Sequence, residues 1–349
     1  MEKLLILALA AALFVGETAF GANRFDFLFS WGYVKDEASA RAFSEIGVTD
    51  VLARGRDGFA AARRFGLKPY CLYTPVGPHK QILREDEQKH FDFINASDCR
   101  ERLSKEDLRK LQDERRAAAA ARFGGEPVAA MDTCATLIDC FLSDTNCVMA
   151  KAKIDKMLAE NPDADGIAFD YIGYTNLRSC ECCDCKSRLV AFLKSEGLEN
   201  GEYARNLFYR TSLVSYINAL VNHVHSTRPG TKVTIHLYPV FLPDPIYGKD
   251  LRADTIQETV AWYFQWPDEK IADYTRQIGI GARQPSSASV PFVGVNATPG
   301  KALAFKSPER LEAELRIILE AGGRRLGVCN GGDMIKPGYR EVFIKYCRK

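Results

Sequence analysis

The sequence predicts an α/β fold, a (β/α)8 barrel with a long excursion between its third and fourth strands. Three observations support this prediction. Short apolar runs alternate with stretches of helical periodicity, the connections between them are mostly short, and eight strand–helix units fit into 349 residues. An open doubly wound sheet is the alternative, but no Gly-x-Gly-x-x-Gly follows the first strand, where a nucleotide site would need it.

The central element is the fourth strand, within the stretch Asp165-Gly-Ile-Ala-Phe-Asp-Tyr-Ile-Gly-Tyr174. Its Ile-Ala-Phe segment is a continuous apolar run, typical of a parallel strand that is buried on both faces. Asp170 directly follows this run. Because α/β barrels carry their chemistry at the carboxyl ends of the strands, we expect Asp170 to be a catalytic carboxylate. The alternative is that it caps the next helix or pairs with a buried arginine.

The first half of the barrel is predicted from short strands and capped helices. Strands are expected at residues 25–31, 48–53 and 68–73, with two helices between them that start at Asp36 and Asp57. Residues 76–164 then form the excursion, interpreted as an inserted lid or subdomain over the barrel mouth. Its last part, which begins at Ser143, is expected to be the third barrel helix.

The second half of the barrel follows the same alternation. Strands five to eight are predicted at residues 231–238, 256–264, 290–295 and 325–329. Helices between them are predicted from apolar residues at spacings of three and four, and a final helix at about 337–346 closes the chain. Residues 259–264 of strand six also fit a helix.

The first 21 residues are typical of a signal peptide. Lys3 precedes a purely apolar segment at 4–15, which is too short to span a bilayer comfortably, and Ala19-Phe-Gly21 offers a cleavage site. We expect export to the periplasm or the extracellular space, with residues 22–349 as a single barrel domain and no membrane association after cleavage. A retained membrane anchor is the alternative. A net charge of +2 without a long basic block argues against a nucleic-acid partner.

If the barrel prediction is right, the strand ends bring aromatic, amide and carboxylate groups to one mouth. Such groups suit a carbohydrate, because aromatic rings stack on apolar sugar faces and polar side chains bind hydroxyls. The predicted substrate-binding residues are Trp31, Arg54, Tyr73, Tyr171, Tyr174, His236, Tyr238, Gln265, Trp266 and Asn296. Part of the aromatic set is expected to fill the barrel core instead.

Glycosidic hydrolysis requires two carboxyl groups that flank the scissile bond. Asp170 is the first candidate. Asp333 ranks first for the second position, because it follows a Gly-Gly turn that lets the backbone approach a ligand closely, although it could equally cap a helix. The other candidates are Asp268, Glu269, Asp132, Asp139 and Asp144.

The segment from Asp165 to Tyr171 resembles the Asp-Gly-x-x-x-Asp signature on the fourth strand of several barrel glycoside hydrolases. It is similar to the chitinase-type pattern of family 18 and, more closely, to the family-10-like glycosyl hydrolases of bacteria. The resemblance implies a catalytic role for Asp170. The sequence departs from the chitinase pattern at Ala168, where that pattern has an Asp, and at Ile172, where its catalytic Glu would stand. Substrate-assisted chemistry is therefore not implied.

A cysteine cluster follows strand four and reads Cys180-Glu-Cys182-Cys183-Asp-Cys185. Thiolates at Cys180, Cys182 and Cys185 can surround one tetrahedral metal ion, with a fourth ligand from elsewhere, for which Cys140, Cys147 and Cys134 are candidates. This spacing resembles the structural zinc cluster of family 42 β-galactosidases. The alternative is disulfide bonding, which export favours. In both interpretations the cluster clamps the loop after strand four to the excursion.

These observations favour an exported glycoside hydrolase that acts on a polysaccharide or oligosaccharide. We expect no cofactor for catalysis, and a structural zinc ion in one of the two interpretations of the cysteines. A non-catalytic carbohydrate-binding barrel is the first alternative, because the second carboxylate is not obvious. A metal-dependent hydrolase that uses the cysteine cluster is the other, although no His-x-x-x-His or His-Glu-x-x-His motif is present.

Overall fold

The computed structural model describes most of the barrel. Of residues 183, 184, 202 and 206 it describes the backbone but not the side chains. The described residues are 24–76, 140–170, 172, 183–237, 248–263, 266–278, 288–299 and 305–347. The predicted signal peptide and most of the predicted excursion lie outside these ranges. None of the helices described is long and apolar enough to cross a membrane.

Eight parallel strands close into a barrel in sequence order, with β8 paired to β1. The strands are Phe27–Val34 (β1), Asp50–Ala53 (β2), Lys68–Tyr73 (β3), Gly166–Phe169 (β4), Lys232–Leu237 (β5), Thr255–Ala261 (β6), Ala288–Gly294 (β7) and Arg325–Cys329 (β8). The predicted fold class is confirmed. Residues 259–261 belong to β6, so a helix at this point is wrong.

The helices lie between the strands in sequence, as in other (β/α)8 barrels. They are Glu37–Glu45 (α1), Gly55–Arg64 (α2), Asp144–Glu160 (α3), Cys183–Glu196 (α4), Glu202–Thr227 (α5), Asp268–Gln277 (α6), Pro308–Glu320 (α7), Gly331–Met334 (α8) and Tyr339–Cys347 (α9). A short 3₁₀ helix at Gly248–Asp250 (η1) lies between β5 and β6. The predicted third barrel helix is therefore present as α3.

Side-chain caps start several helices where the sequence predicts them. Asp36 accepts a hydrogen bond of 2.8 Å from the Ser39 N–H, and Ser143 caps α3 through the Asn146 N–H at 3.3 Å. The prediction that Asp57 caps α2 is wrong. This helix begins at Gly55, and Asp57 lies in its first turn. There its negative charge stabilises the helix by interacting with the partial positive charge of the helix N-terminus, without a capping hydrogen bond.

The barrel interior is closely packed around β4, whose Ile-Ala-Phe run is fully buried. Gly166 begins this strand beside the ring of Tyr70 on β3. A Cβ atom at Gly166 would lie 2.1 Å from that ring, so only glycine fits there.

The first strand is longer than predicted and ends at Val34 instead of Trp31. This strand contains a glycine at position 32 because the backbone of Gly331 passes close to it. A Cβ atom at Gly32 would lie 2.7 Å from the Gly331 carbonyl carbon. Because the strand continues to Val34, Trp31 lies in its middle and points into the barrel interior. Tyr33 and Val34 occupy the strand end.

Candidate active site

Asp170 directly follows β4 at the barrel mouth. Its backbone N–H donates to the carbonyl oxygen of Tyr73, the last residue of β3, at 3.0 Å, which extends the pairing of the two strands by one residue. Asp170 is 7% exposed. The barrel backbone thus fixes the position of Asp170, and its side chain has limited access to water.

His236 on β5 contacts Asp170 directly. The separation between His236 Nδ1 and Asp170 Oδ1 is 3.0 Å. The second ring nitrogen of His236, Nε2, lies 3.2 Å from Thr259 Oγ1 on β6, and Thr259 donates to the carbonyl oxygen of Leu237 at 2.8 Å. Three neighbouring strands therefore position one carboxyl–imidazole pair.

Aromatic rings enclose the imidazole of His236. The Phe292 ring stacks on it at 3.8 Å between centroids, and the rings of Trp31 and Trp262 lie at 5.4 Å and 5.8 Å. This burial lowers the pKa of His236, an effect that the contact with Asp170 opposes. The enclosure therefore favours the neutral imidazole.

Tyr33 and Arg54 contribute to the electrostatics of the same mouth. Burial raises the pKa of the Tyr33 hydroxyl, the positive charge of Arg54 lowers it, and the negative charge of Asp170 raises it further. Both Arg54 and Asp170 are thus close enough to Tyr33 to act on its ionisation. A cation and a phenol beside the carboxylate are suitable groups for binding sugar hydroxyls.

The end of β8 supplies a thiol and an amide. The hydroxyl of Tyr263 donates to Cys329 Sγ at 3.0 Å and lies 3.2 Å from Asn330 Oδ1. Burial raises the pKa of Cys329 to about 12, and the negative charges of Asp170 and Asp333 add to this rise. Cys329 is therefore a neutral thiol, unsuited to act as a nucleophile at neutral pH.

Asp333 lies in α8 and is largely buried. Its Oδ1 atom pairs with Lys336 Nζ at 2.6 Å, and its Oδ2 atom accepts a hydrogen bond from the Ala297 N–H at 3.1 Å. Lys336 also donates to Thr298 Oγ1 at 3.1 Å. Asp333 thus ties the segment after β7 to the segment after β8, and its assignment as the second catalytic carboxylate stays a prediction.

The other described residues of the predicted sugar-binding set have mixed positions. Trp31 donates to Gln257 Oε1 at 2.8 Å inside the barrel, and Tyr73 is buried with its ring edge against Phe169. Lys270 Nζ lies 3.8 Å from the centre of the Trp266 ring. One face of Trp266 is therefore covered by a cation.

Asn296 is buried beside the segment that Asp333 holds, with its Nδ2 atom 3.2 Å from the carbonyl oxygen of Thr298.

Several predicted residues lie outside the described parts of the chain. They are Tyr171, Tyr174, Tyr238, Gln265, Cys180 and Cys182.

The two described cysteines of the predicted metal site are brought together. Cys140 and Cys185 are both buried, and their Sγ atoms are 3.4 Å apart. This separation exceeds the roughly 2.05 Å of a disulfide bond. Within the described ranges, no group of three or more potential metal-ligating side chains is found.

Sequence reasoning missed Tyr33, Thr259 and Cys329. Their signal was weak, because a hydroxyl or thiol within an apolar strand is typical of core positions as well. Tyr33 could have been predicted at the mouth if the first strand had been extended past Trp31 through Gly32 to Val34.

Comparisons with known proteins show the fold. No family model matches the sequence, and no curated protein does. Among solved structures, alpha-L-fucosidase isoenzyme 2 from Paenibacillus thiaminolyticus is similar, with a TM-score of 0.54 and 14% identity over 92% of this chain and 48% of its own. Gan42B, a GH42 beta-galactosidase from G. stearothermophilus, has a TM-score of 0.57 and 11% identity over 91% of this chain and 55% of its own.

The glycoside hydrolase domain of PgaB from Bordetella bronchiseptica is matched over its full length. Its TM-score is 0.56, with 10% identity over 92% of this chain and 100% of the domain. By contrast, this chain spans about half the length of the fucosidase and the galactosidase. All three similar structures are described as glycoside hydrolases or domains of them, and at these identities the similarity is one of fold.

Proposed function

We propose that this protein is a glycoside hydrolase with Asp170 as its principal catalytic carboxylate. The observation that carries the proposal is the contact between Asp170, at the carboxyl end of β4, and the enclosed imidazole of His236. Barrel enzymes place catalytic groups at this end of the strands, and a carboxyl group in contact with a proton-carrying partner suits acid–base chemistry. The barrel glycoside hydrolases among the similar structures support the same class of activity.

The proposed reaction is hydrolysis of a glycosidic bond in a polysaccharide or oligosaccharide. The bond from the anomeric carbon to the leaving oxygen breaks, that oxygen takes up a proton, and water supplies the hydroxyl group of the new reducing end. Asp170 is one of the two carboxyl groups in this step. Asp333 is the proposed second one, because the ammonium group of Lys336 is a counter-ion for its carboxylate.

Arg54 and Tyr33 are proposed to bind substrate hydroxyls next to Asp170, since both act on the same part of the mouth. Export, as the predicted signal peptide implies, would bring the protein to polymeric substrates outside the cytoplasm. This location belongs to the proposal and is tested by sequencing the N-terminus of the secreted protein.

The test of the assignment is Asp170→Asn, assayed on a panel of aryl glycosides and polysaccharides. General acid–base groups contribute about 10²–10⁴-fold to rate, so turnover should fall by this factor while the melting temperature stays within a few degrees. Asp163→Asn is the matched control, because that side chain is exposed. Full turnover by Asp170→Asn would remove the assignment.

A non-catalytic carbohydrate-binding barrel is the second candidate. It is favoured by the finding that both carboxyl oxygens of Asp333 already make contacts. Wild-type protein that binds a glycan in affinity electrophoresis, yet releases no sugar from it, would support this candidate over the enzyme.

The cysteine pair supports a structural zinc site as part of the proposal. Two thiolates on one tetrahedral zinc ion lie about 3.8 Å apart, close to the 3.4 Å between Cys140 and Cys185. A zinc ion there would cross-link the start of α3 to the start of α4. We expect about one zinc ion per chain by elemental analysis, and a lower content in Cys140→Ser.

Undiminished zinc in Cys140→Ser, or a covalent bond between the two cysteines in mass spectra of unreduced protein, would contradict this interpretation. Rapid loss of activity on chelation, with an intact circular dichroism spectrum, would instead support the metal-dependent hydrolase.

A further inference from the structure

Arg54 brings a positive charge to the barrel mouth. It directly follows β2, where its backbone is still extended, and its N–H donates to the carbonyl oxygen of Val34, the last residue of β1, at 3.0 Å. Its side chain is exposed, and among the residues that the structure describes its guanidinium makes no hydrogen bond and no ion pair. The strand pairing thus fixes the position of Arg54 and leaves its guanidinium accessible to a ligand.

Tyr33 lies beside Arg54 on the neighbouring strand. In the ladder between β1 and β2, Tyr33 is opposite Leu52, and Arg54 is two residues beyond Leu52. Residues that lie opposite each other, or two apart in an extended strand, point to the same face of a sheet. The phenol and the guanidinium therefore leave the barrel wall on one face. Within the described part of the chain, the hydroxyl of Tyr33 also has no hydrogen-bond partner.

The charges of Arg54 and Asp170 both act on Tyr33. Burial raises the pKa of the Tyr33 hydroxyl, Arg54 lowers it and Asp170 raises it further, so that it lies above its ordinary value. Tyr33 therefore keeps its proton at neutral pH and can donate it to a ligand. Since both charged groups influence this one hydroxyl, the three side chains lie near one another at the mouth.

We propose that Arg54 and Tyr33 form a subsite for the anionic group of an acidic sugar, so that the ligands of this site are saccharides that carry carboxylate or sulfate groups. A guanidinium presents its N–H donors in a planar fork that matches two oxygens of such a group, and the phenol adds one more donor. Charge-assisted hydrogen bonds are about twice as strong as those between neutral groups. An acidic group therefore gains more at Arg54 than a sugar hydroxyl does.

The negative charge of Asp170 sets the orientation of an acidic sugar in this subsite. Like charges repel each other strongly where access to water is limited, as it is at the largely buried Asp170. The anionic group of the sugar therefore lies on the side of Arg54, and the uncharged part of the ring lies towards Asp170. The same repulsion disfavours binding with the two ends of the sugar exchanged.

The inference that this subsite selects a substrate rests on the proposed function, whereas its affinity for an acidic sugar does not. The direct test is isothermal titration calorimetry of the wild-type protein with free sugars, which requires no turnover. One set of probes is galactose, galacturonate and galactose 6-sulfate, and the other is glucose, glucuronate and glucose 6-sulfate. In at least one set, an acidic sugar should bind about 10–100-fold more tightly than its parent hexose. The carboxylate and sulfate arms show which anion is preferred.

Arg54→Gln and Tyr33→Phe remove the proposed donors one at a time. Arg54→Gln should abolish the preference for the acidic sugar, and Tyr33→Phe should lower it about 2–10-fold. Arg316→Gln is the matched control, because it removes the same charge from an exposed side chain on α7, and it should keep the preference. In the active enzyme, the ratio of kcat/KM between 4-nitrophenyl glycosides of the acidic and the neutral sugar should fall in Arg54→Gln but not in Arg316→Gln.

Equal affinity for the acidic and the neutral sugars, or an unchanged preference in Arg54→Gln, would overturn the inference. Its failure is distinguishable from that of the proposed function. Binding of an acidic sugar that depends on Arg54, without hydrolysis of any glycoside, would refute the function and leave the subsite. Hydrolysis that is lost in Asp170→Asn, together with equal affinity for all the sugars, would do the reverse.

Discussion

Glu258 on β6 is a fully buried carboxyl group, and neither of its oxygens has a hydrogen-bond partner among the described residues. It lies beneath η1, where a Cβ atom at Gly248 would be 2.7 Å from Glu258 Oε1. Burial raises the pKa of Glu258 from 4.5 to about 8. The folded protein therefore holds a proton that the unfolded chain releases above pH 4.5.

The sign of the resulting pH dependence follows from this proton. Between pH 4.5 and about 8 the folded state binds more protons than the unfolded state, so the free energy of unfolding falls as the pH rises. Each pH unit corresponds to about 1.4 kcal/mol, which gives a loss of about 3 kcal/mol at pH 7 and about 5 kcal/mol at pH 8. The loss is complete above the folded pKa and absent below the unfolded one.

Glu258→Gln removes the charge and keeps the shape, so this loss should disappear. We expect the variant to match the wild type at pH 4.5 and to melt roughly 10 °C higher at pH 8, at about 2 °C per kcal/mol. Differential scanning calorimetry at both pH values measures the difference. Glu199→Gln is the control, because that side chain is exposed. An offset that is the same at both pH values, or a less stable variant at pH 8, would refute the reasoning.

Two further substitutions test the packing. Gly166→Ala should destabilise the barrel by about 1–3 kcal/mol in urea unfolding, because the added methyl group meets the Tyr70 ring. Gly332→Ala should change little, because there is open space around that exposed position. Equal effects of the two substitutions would contradict the packing argument. Lys306→Met removes the 2.6 Å partner of Glu314 Oε2, while Arg310 still binds Glu314 Oε1 at 3.0 Å. Because one buried carboxylate oxygen loses its partner, we expect a cost of about 1–3 kcal/mol in the same assay. An unchanged stability would contradict this expectation.

Much of the barrel could be predicted because buried parallel strands are continuous apolar runs, as in the fully buried Ile-Ala-Phe segment of β4. The end of β1 was placed too early, at Trp31 instead of Val34. Here Gly32 is required by the close passage of the Gly331 backbone, which sequence spacing does not reveal. Of the apolar residues that the sequence places on the third barrel helix, Ile154 and Leu158 are buried, whereas Val148 is 66% exposed.

The site could be predicted in part. Asp170 and His236 were both expected at the mouth because they follow or end apolar strands, and the structure brings them into contact. The role of Thr259 could not be predicted, since it depends on the register between β5 and β6, where His236 lies opposite Gln257 and Thr259 is two residues further on. Registers of this kind are set by packing across the whole barrel.

The pair of Asp170 and His236 is carried by adjacent strands, with Phe169 opposite Ile235 in the ladder. Among the residues that the structure describes, the strand ladder and Thr259 on β6 hold the two groups at their separation. A change of register between β4 and β5 would therefore separate the carboxyl group from the imidazole. Directed evolution of new specificity in this scaffold should accordingly leave β4 and β5 unchanged.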